Sequence, residues 1–151
     1  MNDLIDAIEN DDVEKLASII ADGLDVNVSI DAGIRPLHLA ADKNATECIL
    51  LLIENGAIVN SARNSREGSG TPLHFAARSG NFEAIKYLLE AGANPTSGIQ
   101  GPYGTPFDIV PQKLVECTQI LKKAILKQVT ALNRRFSDLE SNAGPQPPAF
   151  H

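Results

Sequence analysis

Thr71 to Asn94 reads TPLHFAARSGNFEAIKYLLEAGAN, two short helices joined by a tight turn. Thr71 is an N-cap residue type, and Pro72 suits the first helical turn, where a missing N–H leaves no bond unmade. Ala76 and Ala77 permit close packing. Gly80 and Asn81 stop this helix and turn the chain. Phe82, Ile85, Leu88 and Leu89 then recur at helical spacing and give a second helix one apolar face. Gly92 stands where a helix C-terminus favours a left-handed residue. A helix pair this short cannot bury both faces alone, so it needs neighbours stacked on it.

The neighbours are present. Upstream, Pro36-Leu37-His38-Leu39-Ala40-Ala41 repeats the opening 36 residues before Pro72, and Ile49, Leu52, Ile53 and Gly56 repeat the second helix and its cap. Further upstream, Leu4, Ala7, Ile8, Leu16, Ile19, Ile20 and Gly23 fall into register, with Leu4 lying 33 residues before Leu37. Downstream, Thr105-Pro106-Phe107 restarts the pattern 34 residues after Thr71. A period near 33 with a T-P-L-H-x-A opening is the signature of the ankyrin repeat. The chain resembles a small ankyrin-repeat protein of about four units over roughly Asn2 to Leu126. That resemblance implies an all-α solenoid of stacked helix-turn-helix units with hairpin-like connectors. Its expected parts are an N-capping repeat (2–34), two full repeats (35–70 and 71–104), a degenerate C-capping repeat (105–126), a helical extension (127–140) and a disordered tail (141–151).

Length and composition agree with one domain. A chain of 151 residues buries about two-thirds of its unfolded surface. Trp is absent and aromatics make up 5%, so the core must be aliphatic. The longest apolar run, Cys48 to Ile53, is six residues, far short of a membrane span, and the acidic opening MNDLIDAIEND has no signal-peptide pattern. These features predict a cytoplasmic protein, or one exported by a route the sequence does not display. Cys48 and Cys117 fall two repeats apart, on the order of 20 Å, so they should be free, buried thiols.

Charge is uneven. Residues 1–60 hold 12 acids and 3 bases, a net −9, while residues 61–151 hold 7 acids and 10 bases, a net +3. An acidic front half argues against nucleic acid as a ligand, because phosphate contacts supply most non-specific affinity.

Departures from the repeat pattern are informative. Arg35 replaces the capping Thr, and Asn44 replaces the inter-helix Gly, where Asn tolerates the left-handed conformation better than other residues with a Cβ. The connector SARNSREGSG (61–70) is about three residues longer than usual and holds Arg63 and Arg66. Insertions in repeat proteins collect on one face, often the binding face. The next connector carries Ile99 and Tyr103 in an otherwise small, flexible stretch. In the fourth unit Asp108 stands where the His was, and Pro111 should shorten or kink the first helix. From Gln112 to Asn142 there is neither Pro nor Gly, while Val115, Ile120, Leu121, Ala124, Ile125, Val129, Leu132, Phe136 and Leu139 keep a helical stripe. The last helix should therefore run on, or restart after a short break, to about Leu139, and fold back as a hydrophobic cap. The alternative is a projecting helix that grips a partner or a second copy. Arg134-Arg135-Phe136-Ser137 also matches a short basophilic kinase pattern of a kind that arises often by chance.

No motif points to catalysis. His38 and His74 belong to the PLH opening, whose His, by the family resemblance, hydrogen-bonds near the helix start and ties adjacent connectors together. Gly68-Ser69-Gly70 lacks the Lys of a phosphate loop, and the acids show no calcium-loop spacing. No cofactor or metal is expected. The resemblance implies a non-enzymatic protein-interaction module, an inhibitor, adaptor or scaffold that grips a partner protein on its concave face. By position in the repeat, that face should hold Glu9, Asn10, Asp42, Lys43, Arg78 and Ser79, with Arg63, Arg66, Ile99 and Tyr103 at the loop tips. A monomer is expected. The alternatives are a structural protein that dimerises through the C-terminal helix and an accessory or effector protein acting on a host or cellular enzyme.

Overall fold

The computed structural model describes residues 1–63, 70–98 and 104–142. Eight helices occur among them, in four pairs: α1 (Asn2–Glu9) with α2 (Val13–Ala21), α3 (Pro36–Lys43) with α4 (Thr46–Glu54), α5 (Pro72–Ser79) with α6 (Phe82–Glu90), and α7 (Pro106–Ile109) with α8 (Val115–Asn142). The first helices α1, α3, α5 and α7 lie side by side in one layer, and the second helices α2, α4, α6 and α8 form another. This is an all-α solenoid. Its connectors are hairpin-like, with isolated antiparallel bridges at Asp31–Ile34 and Arg63–Gly70. Among the described residues no helix is long and apolar enough to cross a membrane.

Side-chain size explains the layering. Ala40, Ala41, Ala76 and Ala77 are fully buried and let the first helices approach closely. Leu16, Ile49, Leu52, Ile85, Leu88 and Leu121, equally buried, fill the space behind them with aliphatic volume. Full burial of each such side chain is worth about 1.5–3 kcal/mol. Cys48 and Cys117 are free and buried in this layer.

The turn inside each of the first three pairs takes a left-handed residue, supplied by Asp11 (φ 50°), Asn44 (φ 55°) and Gly80 (φ 70°). Asp and Asn take that conformation more readily than other side chains. At Gly80 there is a second reason, because an added Cβ would run into the Leu114 side chain.

The fourth pair is asymmetric. Pro111 follows Val110, whose backbone is extended (φ −64°, ψ 130°), and α7 ends after four residues. By contrast α8 runs 28 residues without a break, about 42 Å at 1.5 Å per residue. Its neighbour α6 has nine. The expected fold-back does not occur. With no Gly or Pro between Gln112 and Asn142, no turn interrupts the backbone hydrogen bonds, and the helix continues past the stack. The helix passes residue 126 unbroken, and Ser141 and Asn142, expected in the tail from sequence, are still helical.

Candidate protein-interaction face

The two repeat histidines are fastened at both ring nitrogens. His38 Nδ1 accepts the Arg35 amide at 3.2 Å, so the proton sits on Nε2, which points at the carbonyls of Ser61 (2.9 Å) and Gly70 (3.2 Å). His74 repeats this, with Nδ1 taking the Thr71 amide at 3.1 Å and Nε2 lying 3.3 Å from the Gly104 carbonyl. Each ring thus anchors its own helix start to the connector that follows. Burial pushes His38 down to about 4, against the opposing pull of the Ser61 and Gly70 carbonyls, and lowers His74 for the same reason. A neutral ring with its lone pair and its proton both engaged has nothing left to offer a substrate.

Asp108 fits the same logic at the end of the row. Its Oδ2 accepts the Thr105 amide (2.7 Å) and hydroxyl (2.8 Å), which holds the carboxyl below its usual range. A carboxylate reproduces the acceptor half of the histidine's role and lacks the donor half.

A second set of ties was not foreseen. Asn27 donates to the Gly56 carbonyl (3.0 Å) and accepts the Ile58 amide (2.9 Å), and Asn60 does the same with Gly92 (3.1 Å) and Asn94 (2.8 Å). At the other end of the pairs, Asp11 accepts the Cys48 amide (3.0 Å), and Asn44 accepts the Ala84 amide (3.1 Å). Each caps the second helix of the next repeat. The signal was a shared period, since Asp11 and Asn44, like Asn27 and Asn60, stand 33 residues apart.

The first-helix ends bring six of the proposed contact residues into one row. Lys43 Nζ lies 3.5 Å from Glu9 Oε1, Ser79 Oγ donates to Asp42 Oδ1 at 2.7 Å, and Arg78 reaches the same carboxylate at 3.7 Å while its guanidinium covers the Phe75 ring at 4.8 Å. Asn10 completes the row beside Glu9, its amide donating to the Asp6 carbonyl. Glu9, Asn10, Lys43, Arg78 and Ser79 are exposed and Asp42 is half-buried. Arg63 does not join them. It is 9% exposed, its backbone pairs with Gly70, and its Nε donates to the Ala32 carbonyl at 3.1 Å. The Ala32 carbonyl of the previous connector lies within its reach, so this guanidinium ties two connectors together. Arg66, Ile99 and Tyr103 lie outside the described residues.

The sequence matches the family model for ankyrin repeats in three copies over residues 4–98, more than half of the chain. The chain belongs to the ankyrin-repeat family. Ankyrin repeats are protein-protein interaction modules, on a fold that is not itself catalytic. Among ankyrin relatives, "Ankyrin repeat domain-containing protein 35" of Homo sapiens is 37% identical over 59 residues, 38% of this chain and 6% of its own length. Myotrophin of Xenopus tropicalis is 37% identical over 51 residues, 34% of this chain and 43% of its own. The chain spans less than half the length of either relative. The ankyrin match ends at residue 98, so the fourth pair and the long α8 lie beyond it.

Proposed function

We propose that this ankyrin stack is a non-enzymatic binding module that holds a partner protein along the row Glu9, Asn10, Asp42, Lys43, Arg78 and Ser79, acting as an inhibitor, adaptor or scaffold in the cytoplasm. One observation carries the reading. The row lines up exposed charges of both signs from three successive repeats, and its pairs at 3.5 and 3.7 Å are solvated surface contacts worth about 1 kcal/mol or less to the fold. Its charges are therefore free to serve recognition, where mixed polar groups around a few anchors are the usual composition. The buried Phe75 ring beneath Arg78 holds that guanidinium at the surface of the row. The engaged, neutral histidines support the non-enzymatic part.

Affinity capture with the wild-type chain beside a Lys43→Glu/Arg78→Glu variant tests the reading. The expected result is a protein retained by the wild type and lost by the variant, with equal melting temperatures. Equal retention by both chains, or a fall in stability that accounts for the loss, removes the row as the binding face.

A further inference from the structure

Past Gln128, whose amide donates to Asn94 Oδ1 at 3.2 Å, α8 leaves the stack. On the free half, Val129, Leu132, Phe136 and Leu139 are 45, 45, 65 and 67% exposed. Their successive spacings are 3, 4 and 3 residues, and Ile125 extends the series by 4 more toward the stack. That alternation matches the a/d spacing of a coiled coil over two heptads, a narrow stripe suited to one partner helix. Single exposed apolar side chains are ordinary on a monomer, whereas a row of large ones in one register marks an interaction surface.

We propose that this stripe is a homodimer seam, in which the free half of α8 pairs in parallel with α8 of a second copy. Charge selects both the occupant and the direction. With Val129 and Phe136 at a, Arg135 falls at g and Glu140 at the e position five residues on. In a parallel pair each g residue meets the following e residue of the other helix, so Arg135 faces Glu140 of the second copy, twice by symmetry. In an antiparallel pair centred on the same stripe g meets g, and two Arg135 side chains oppose each other. The remaining flanking residues from Leu126 onward, Gln128, Asn133 and Asn142 among them, are neutral. The stripe lies roughly 70–80° around α8 from Cys117, Leu121, Ala124 and Gln128, which face the stack. Two helices joined along it therefore carry their repeat stacks on opposite sides, and the first-helix layer stays uncovered.

Sedimentation of the full chain over a concentration series is the test. The expected result is a rise from the 16.1 kDa monomer mass to twice that value, abolished by Phe136→Glu with the thermal midpoint unchanged at concentrations where the wild type is a monomer. Arg135→Glu and Glu140→Arg each weaken the dimer by roughly tenfold in Kd, and an equimolar mixture of the two variants restores it, because both cross-pairs are then complementary. A wild type that keeps the monomer mass at every concentration overturns the proposal, as does a Phe136→Glu chain that still dimerises. Single variants that stay apart when mixed overturn the parallel arrangement.

Discussion

His38 Nε2 stands 2.9 Å from the carbonyl oxygen of Ser61, 23 residues on, and this contact joins the start of one repeat to the connector leading into the next. The two ring nitrogens are engaged together only while the ring is neutral and in one tautomer, because Nδ1 must accept the Arg35 amide.

That requirement makes the stack sensitive to acid. His38 is held near 4 in the folded chain, against 6.5 when unfolded. Below pH 6.5 the unfolded state binds a proton that the folded state refuses, so stability is fully present above that pH and is lost as the pH falls toward 4. The slope is about 1 kcal/mol per pH unit. Denaturant unfolding of the wild type and of His38→Gln at pH 7 and pH 5 should show a smaller acid loss in the variant. Equal losses would mean that the ring carries its proton inside the fold.

Leu88 and Leu139 are both leucines on second-layer helices, with opposite burial, 0 and 67% exposed. Leu88→Ala should destabilise the chain by about 2–5 kcal/mol, the usual range for a buried truncation. Leu139→Ala should leave the unfolding midpoint of the monomer within about 0.5 kcal/mol of wild type. Chemical denaturation of the two variants at low protein concentration makes the comparison.

Asn27→Ala removes two hydrogen bonds between the first and second repeats. At this half-buried site the expected loss is about 1–2 kcal/mol. Hydrogen exchange should show it mainly as faster opening of α1 and α2, since the partners of Asn27 lie on the far side of that boundary. Uniform acceleration across all eight helices would contradict a tie confined to one interface.

Burial pushes the Cys48 thiol up to about 12, helped by the neighbouring Asp11, and raises Cys117 as well. The thiolate is the reactive form. Neither cysteine should react with a disulfide reagent in the folded chain, and both should react in denaturant. Rapid labelling of the folded chain at neutral pH would place one of them at the surface.

What the sequence determined by itself was local and periodic. Thr71 and Pro72 start a helix, Gly80 and Asn44 turn it, Pro111 ends α7, and the 33-residue recurrence of these signals requires a stack. Each signal acts through the backbone of a few residues, so each can be read without knowing what lies across the space between repeats. The tertiary structure decided where long side chains point. Arg63 looked like a loop-tip contact and instead donates to a carbonyl 31 residues away. Asn27 and Asn60, unremarkable in a polar connector, are inter-repeat clamps. An apolar stripe alone did not say whether the end of α8 would fold back or project, because that depends on whether a neighbour reaches as far as Phe136. The stack ends before it does, and the helix goes on alone.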